Sequence, residues 1–219
     1  MRSDFDMDIA IIFEDADIVV VEKPAGVIVH SAPGHEEGSL AEELVRRFPC
    51  MANVGSAERP GVVHRLDLET SGVMVFAKTQ RAYLALRRQF ESHRDVRKTY
   101  LAVLHGTPKP KSGTIDAPVG RDRLGAVTHW QVLAAHNGIS LVEFRIDTGR
   151  MHQIRIHAAQ LGHPVVGDRT YGSAERDRRL RSRPARLLLH AVELSFIHPK
   201  TGRRVTFSAQ PPADIVYAG

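Results

Sequence analysis

The sequence predicts an α+β fold with a mixed, largely antiparallel central sheet flanked by helices and loops. Many short apolar segments with strand character occur along the chain in uneven order. Few stretches have the periodicity of a helix, and turn-forming residues lie between neighbouring apolar segments. Many strands combined with few helices indicate this fold class.

The predicted strands are short apolar runs bounded by turn-forming residues. The acidic turn 14–17 separates the first two, and Pro24 and Gly26 supply a tight turn after the second. Asn137 and Gly138 join two later strands. Connecting loops are expected at 30–38 and 50–61, and a polar, arginine-rich one at 173–186. The predicted strands are 9–13, 18–22, 62–64, 73–77, 99–105, 126–133, 141–146, 187–196 and 204–208.

Three helices are predicted from caps and apolar periodicity. Ser39 and Glu42 have the spacing of a capping box, and Pro49 stops the helix that they begin. Thr79 is expected to cap a second helix over 80–93. A third is expected at 151–161, ended by Gly162. The predicted inner faces carry Leu40, Leu44 and Phe48, then Tyr83, Leu86 and Phe90, then Met151, Ile154, Ala158 and Leu161.

Length and composition predict one domain over 1–219, with a core at about 9–210, and nothing requires more than a monomer. No apolar run is long enough for a membrane span, and the acidic N-terminus is unlike a secretory signal. The single cysteine, Cys50, cannot form an internal disulfide, which fits the cytoplasm and argues against a thiolate-rich zinc site.

The charge is unevenly distributed along the chain. Residues 1–63 hold 5 Lys and Arg against 12 Asp and Glu, whereas the remaining residues hold 25 against 13. Lys and Arg displace the counterions condensed on nucleic-acid phosphates, so this asymmetry is compatible with a nucleic-acid partner. A basic surface serves solubility equally well, and charge alone leaves both interpretations open.

The segment 64–72, H-R-L-D-L-E-T-S-G, is the densest candidate for chemistry. It places the Asp67 carboxylate and the Arg65 guanidinium on a polar connection between apolar strands, where catalytic groups are often held. The alternative is a capped turn, in which Asp67 accepts nearby backbone N–H groups and Arg65 pairs with Glu69. The sequence pattern alone favours neither interpretation.

A second candidate is T-G-R-M-H-Q-I-R-I-H at 148–157. Arg155 lies beside the apolar helix face, and a buried arginine would require a carboxylate partner, whereas an exposed one would extend into solvent. His152 and His157 are five residues apart, which excludes the i, i+4 spacing of a helical zinc pair. They are expected to be hydrogen-bonding residues of the helix, with phosphate as a candidate neighbour.

The third candidate is Tyr100, which follows basic residues at the start of a predicted strand. Its ring could stack on a base or lie in the core, and the pattern favours the core.

Together these segments resemble the RluA-type family of RNA pseudouridine synthases. The similarity spans nearly the whole chain, and the ordered set is far more specific than any single piece. The matching pieces are E-K-P-A-G at 22–26, V-H-S-A-P-G-H at 29–35, R-P-G-V-V at 59–63, H-R-L-D-L-E-T-S-G at 64–72, K-T-Y at 98–100, T-G-R-M-H-Q-I-R-I-H at 148–157, L-G-H-P-V-V-G-D at 161–168 and L-L-L-H-A at 187–191.

The resemblance implies the pseudouridine-synthase catalytic fold with a central RNA-binding cleft. It implies that Asp67 is the essential nucleophile and that Arg65 enters the RNA stack in place of the extruded uridine. Tyr100 matches the tyrosine that packs on the uracil and removes the C5 proton. Arg155 matches the arginine that pairs with the catalytic carboxylate, and Ile154 is expected to line the uracil pocket.

The resemblance also implies ribosomal or transfer RNA as partner, no DNA, no cofactor and no metal. Asp67 would assist departure of the uracil either by attacking C1′ or by favouring a glycal intermediate. Arginine-rich stretches such as 176–186 are further candidates for phosphate contacts. The expected RNA-binding residues besides Arg65 and Ile154 are Thr70, His152, Arg87, Arg88 and Lys98.

Two departures from the family and two rival functions are also apparent. Many relatives carry an additional small N-terminal RNA-binding domain, which is not expected here because the similarity begins near Ile9. The segment 119–127 is shorter than the basic hairpin usual in the family. A non-catalytic RNA-binding relative would not need Asp67, and a hydrolase using Ser71 would lack the G-x-S-x-G elbow.

Overall fold

The computed structural model describes residues 7, 9–31, 38–120 and 122–216, so the predicted loop 30–38 lies mostly outside them. The described residues form eleven β-strands and five α-helices. The strands are β1 (Ala10–Glu14), β2 (Ile18–Lys23), β3 (Gly55–Ser56), β4 (Arg59–Pro60), β5 (Ser71–Ala77), β6 (Arg97–His105), β7 (Ser112–Asp116), β8 (Val127–His136), β9 (Ile139–Ile146), β10 (Leu189–Ile197) and β11 (Arg204–Ser208). The helices are α1 (Leu40–Arg47), α2 (Gln80–Ser92), α3 (Gln153–Gln160), α4 (Ala174–Arg178) and α5 (Ala213–Val216).

The chain divides into two compact units, of which the first comprises Met1–Val96 and Leu194–Ala209. Its strands β1, β2 and β5 pair antiparallel in that order. Every residue of β5 is buried, which explains why this strand is apolar on both faces. Helix α2 contributes the buried side chains Tyr83, Leu86 and Phe90 to the core of this unit.

The second unit comprises Arg97–Glu193 and Gln210–Gly219. Its strands follow the order β6, β9, β8, β7, and each neighbouring pair is antiparallel. Asn137 and Gly138 both have positive φ, as a two-residue hairpin turn between β8 and β9 requires. The predicted α+β class with largely antiparallel pairing is therefore confirmed.

The predicted caps of the first two helices are also confirmed. The Ser39 hydroxyl accepts the Glu42 N–H at 3.3 Å, and the Glu42 carboxylate accepts the Ser39 N–H at 3.0 Å. The Thr79 hydroxyl accepts the Ala82 N–H at the start of α2. Each cap satisfies backbone N–H groups that have no partner within the helix.

Several local predictions are wrong. The strand at 62–64 is only an isolated bridge between Val62 and Phe76. The predicted loop 50–61 contains a 3-10 helix, Pro49–Asn53, and the hairpin of β3 and β4. The arginine-rich loop contains the short helix α4, and β7 and α5 were not predicted. These elements are too short to have a clear apolar period.

The predicted helix 151–161 begins later than expected, at Gln153. His152 has a φ of 55°, in the left-handed region, so the helix cannot include it. Met151 consequently lies outside the helix and is exposed, not on its inner face as predicted. Ile154 and Ala158 are buried, as expected.

Candidate active site

The loop that carries Asp67 is anchored on both sides of this residue. Leu66 is buried, and the Leu68 carbonyl accepts hydrogen bonds from the Gly26 N–H at 2.9 Å and the Lys23 ammonium at 3.0 Å. Gly26 has a φ of 85°, a conformation that favours glycine. Asp67 itself is half-buried. Two fixed neighbours therefore limit the freedom of its backbone while its carboxylate stays partly accessible.

The two residues at the start of this loop have different surroundings. The His64 ring stacks on Phe90 with centroids 4.4 Å apart, and its Nε2 accepts the Val75 N–H at 3.2 Å. Arg65, the next residue, is exposed. His64 therefore has a structural role, whereas Arg65 is available for the contact with RNA that the sequence predicts.

Lys23 is fully buried directly beside this loop. Its ammonium donates to the carbonyls of Pro24 at 2.9 Å, Val27 at 2.7 Å and Leu68 at 3.0 Å. Burial lowers the pKa of Lys23 to about 7, and the negative charge of Asp67 opposes that change. The three carbonyls also favour the ammonium, because only the protonated form has three N–H groups to donate.

We expect Lys23→Met to lower the free energy of unfolding by about 2–3 kcal/mol, because the carbonyls of Pro24, Val27 and Leu68 all lose the hydrogen bond from the buried ammonium. Urea unfolding monitored by circular dichroism measures this change. The exposed Lys200 provides the control, since Lys200→Met should stay within about 0.5 kcal/mol of the parent chain. Equal effects of the two substitutions would contradict the anchoring role of Lys23.

The two hydroxyl residues after the loop are buried. Thr70 is 2% exposed, and its Oγ1 has no hydrogen-bond partner among the residues described. Thr70 is therefore shielded from solvent, and its expected contact with RNA stays a prediction. Ser71 is the first residue of β5 and is 4% exposed, which makes it a poor candidate for the nucleophile of a hydrolase.

Arg155 on α3 is buried and ion-paired, as one of the two sequence interpretations required. Its Nε donates to Asp168 Oδ2 at 2.7 Å and its Nη2 to Asp168 Oδ1 at 2.8 Å. The side chains of the pair are 8% and 0% exposed. The described carboxylate partner is thus Asp168, a residue to which the sequence assigned no role. The expected pairing of Arg155 with Asp67 stays a prediction.

Asp168 is held in its ionised form. Burial raises its pKa, but the hydrogen bonds from Arg155 and from the backbone N–H groups of Tyr171 and Thr170 outweigh burial and leave the pKa lowered. A lowered pKa in the folded chain stabilises it above the ordinary pKa of an aspartate, and this contribution is lost on acidification. The pair is therefore a stabilising contact at neutral pH.

His157 is a structural residue of α3, consistent with the hydrogen-bonding role expected for it. It is fully buried, and because a carbonyl can only accept, its Nε2 donates to the Ala117 carbonyl at 3.1 Å. Its Nδ1 then accepts from the Thr128 hydroxyl at 2.8 Å. Burial lowers the pKa of His157. Among the described residues, no group of three or more potential ligands could hold a metal ion.

The other predicted site residues of the second unit differ in exposure. Tyr100 and Ile154 are buried, at 8% and 4% exposed. Lys98, expected on a basic surface, is buried instead, and its ammonium donates to the Thr148 carbonyl at 3.0 Å. Burial lowers the pKa of Lys98 to about 8, although Asp147 opposes the change. Lys98 is therefore not part of an exposed basic surface, and its contact with phosphate stays a prediction.

Helix α2 of the first unit carries two of the arginines expected to contact RNA. Arg87 and Arg88 are both exposed. Arg87 donates to Glu91 at 2.6 Å and to the Tyr83 hydroxyl at 3.0 Å, so its guanidinium is oriented before any ligand binds.

The site can be compared with known proteins. The sequence pattern of the family described as RNA pseudouridylate synthase matches residues 17–160. An RNA pseudouridine synthase of Synechocystis is 39% identical over 218 residues, which cover 93% of this chain and 65% of that protein. The chain thus spans slightly less than two thirds of this relative. The ribosomal large subunit pseudouridine synthase D of Zymomonas mobilis is 36% identical over 96% of this chain and 71% of its own.

A solved structure agrees with the sequence matches. The human RNA Pseudouridylate Synthase Domain Containing 4 superposes with a TM-score of 0.78 at 27% identity, covering 94% of this chain and 90% of its own. No helix in the described part of the chain is long and apolar enough to cross a membrane. The matched segment contains Asp67, Tyr100 and Arg155, and the chain belongs to the RNA pseudouridylate synthase family.

Proposed function

We propose that this chain is an isomerase that converts specific uridines of structured RNA to pseudouridine, without a cofactor, as a cytoplasmic monomer with a single catalytic domain. The observation that carries this proposal is the anchored loop, which holds a half-buried Asp67 next to an exposed Arg65 in a member of this family. The name of the relative from Zymomonas mobilis refers to the large ribosomal subunit, so ribosomal RNA is our first candidate and transfer RNA the second.

In the proposed reaction the bond between C1′ and N1 breaks, the uracil rotates, and a bond between C1′ and C5 forms. Asp67 acts as the ionised nucleophile, either on C1′ directly or by favouring a glycal intermediate. Tyr100 packs on the uracil and accepts the C5 proton, while N1 gains a proton. Arg155 supplies positive charge that favours the ionised carboxylate, and no electrons are exchanged with another molecule.

The target uridine must leave the base stack before this chemistry can occur. Extrusion costs a few kcal/mol, and least in loops or distorted helices. We propose that Arg65 fills the vacated place and offsets part of that cost, and that His152, Arg87 and Arg88 contribute donors for the RNA backbone. This requires Arg65 to be exposed, as it is.

The proposal is tested by incubating the purified chain with total RNA from cells that lack it and mapping pseudouridine at nucleotide resolution. We expect new pseudouridines at a few defined positions, most simply in ribosomal RNA. Tight RNA binding without any new pseudouridine would instead identify a non-catalytic RNA-binding relative. New sites only in transfer RNA would change the substrate and leave the reaction as proposed.

A further inference from the structure

The Asp168 carboxylate forms more hydrogen bonds than its ion pair alone. Its Oδ1 accepts the backbone N–H groups of Thr170 and Tyr171, both at 2.9 Å, in addition to Arg155 Nη2. Its Oδ2 accepts Arg155 Nε. Four donors from two separate parts of the chain therefore fix both the carboxylate and the edge of the guanidinium that it contacts.

The backbone on both sides of Asp168 is closely packed. Gly167 has a φ of 78°, and a Cβ at this position would lie 2.0 Å from the Arg186 carbonyl oxygen. A Cβ at Gly172 would lie 2.2 Å from the Asp168 carbonyl oxygen, which accepts the Gly172 N–H. Only glycine fits at both positions, so the segment that carries Asp168 and Tyr171 is closely packed against the backbone around it.

Tyr171 contacts two predicted site residues at once. Its ring lies against the Arg155 guanidinium, with Cζ 5.2 Å from the ring centroid. Its hydroxyl lies 3.1 Å from His152 Nδ1, and the two rings meet edge to face. An aromatic ring attracts a guanidinium that lies over it. Tyr171 therefore restrains the face of the Arg155 guanidinium, whereas Asp168 contacts its edge.

His152 has an unusual backbone conformation. Its φ of 55° is in the left-handed region, which is costly for a residue with a side chain unless its surroundings hold it there. Such conformations occur preferentially at functional sites. The contact with Tyr171 is one of the interactions that hold the His152 ring in place.

We propose that Asp168 and Tyr171 are positioning residues for the isomerisation of uridine, which rests on the function proposed above. Asp168 fixes two donors of Arg155, the Tyr171 ring fixes the plane of its guanidinium, and the Tyr171 hydroxyl orients His152 toward RNA. Arg155 thus serves the reaction with an orientation set before RNA binds. A shift of about 1 Å in such a group can lower a rate about a hundredfold.

Three variants separate these roles, each assayed by single-turnover kinetics on the total RNA described above. For Asp168→Asn we expect the rate constant to fall about a hundredfold, because one charged partner of Arg155 is lost. Tyr171→Leu should lower it about tenfold, since the ring is lost. Tyr171→Phe retains the ring, so its rate constant should stay near that of the parent while the apparent RNA affinity falls about fivefold.

Asp17 provides the matched control for Asp168. It is also a buried carboxylate with a lowered pKa and an arginine partner, Arg81, but it has no place in the proposed site. We expect Asp17→Asn to lower the melting temperature without changing the rate constant of the folded protein. If Asp168→Asn and both Tyr171 variants also lower only the melting temperature and leave the rate constant unchanged, as expected for Asp17→Asn, these residues are structural only and the inference is wrong.

Side-chain NMR of Arg155 distinguishes failure of the inference from failure of the proposed function. Burial and the Asp168 contact should protect the Arg155 Nε–H from solvent exchange, with assignment by Arg155→Lys. Exchange should accelerate at least about tenfold in Tyr171→Leu and remain unchanged in Tyr171→Phe. Equal protection in all three proteins would overturn the role of the ring, whether or not the parent chain forms pseudouridine.

Discussion

Asp67→Asn should reduce pseudouridine formation by at least about a thousandfold while leaving the fold intact. The amide has nearly the same shape as the carboxylate but cannot act as the ionised nucleophile. The loop should persist, because the hydrogen bond from the Gly26 N–H to the Leu68 carbonyl does not depend on the Asp67 charge. A Lys23 amine that loses its proton still has two N–H groups to donate. Nucleoside mass spectrometry of treated cellular RNA measures the product.

A second carboxylate in the same turn provides the control. Glu69 is two residues away and partly buried, like Asp67, so Glu69→Gln makes the same chemical change without touching the proposed nucleophile. We expect Glu69→Gln to retain most activity. If Asp67→Asn retains appreciable turnover, or if the two variants lose activity equally, Asp67 is not the nucleophile.

The Asp67→Asn variant also has an electrostatic signature that does not depend on RNA. The Asp67 charge raises the pKa of Lys23, which burial lowers to about 7. Removing that charge should lower the pKa of Lys23 further, so more of the neutral amine is present at neutral pH. An NMR titration of the Lys23 side chain would detect the change, and an unaltered titration would mean that the two groups are electrostatically independent.

The sequence predicts the long elements of this fold well because their signals are local. The capping box of Ser39 and Glu42 and the N-cap of Thr79 each bring a donor and an acceptor together within four residues. Several short elements were missed because their few residues show no apolar period, as in β3 (Gly55–Ser56) and α5 (Ala213–Val216). His152 was assigned to a helix because it lies within an apolar helical period that gives no clear signal of its left-handed φ.

The candidate site was predicted only in part, because the signals in the sequence are local whereas the contacts that support the site are not. The loop around Asp67 and the segment of Arg155 were identified from the residues that they carry, but their supporting contacts are long-range. Lys23 and Leu68 are 45 residues apart, and no periodicity connects them. One signal was available, since a buried Arg155 requires a carboxylate and Asp168 follows it by 13 residues. Burial of Lys98 could not be deduced, because a lysine in a basic segment is usually exposed.

Arg155→Ala should abolish most activity and lower the free energy of unfolding by about 3–5 kcal/mol. The loss of stability arises because the Asp168 carboxylate, which is 0% exposed, would remain charged in the interior without its partner. The control is Arg81→Ala, which breaks a pair whose arginine is 67% exposed and should cost at most about 1 kcal/mol. Equal changes in urea unfolding would show that the pair of Arg155 contributes no more than a surface contact.

The stability lost in Arg155→Ala should depend on pH in a defined direction. In the parent chain Arg155 and two backbone N–H groups keep the pKa of Asp168 low although burial raises it, so its stabilisation is lost as the pH falls. When Arg155 is removed, less positive charge opposes the effect of burial, so the pKa of Asp168 should rise. Protonation then relieves the buried charge, so the stability difference between parent and variant should shrink on acidification. A difference that grows toward acid pH would contradict this account of Asp168.

A double substitution separates stability from activity at the same pair. Arg155→Met combined with Asp168→Leu removes both charges, and replacing a buried ion pair by apolar side chains is often neutral for stability. We expect the double variant to recover only part of the stability that Arg155→Ala loses, because the backbone N–H groups of Thr170 and Tyr171 lose the acceptor that Asp168 provided. It should remain inactive. Recovery of both would mean that the guanidinium serves only the fold, whereas stability without turnover assigns it to the reaction.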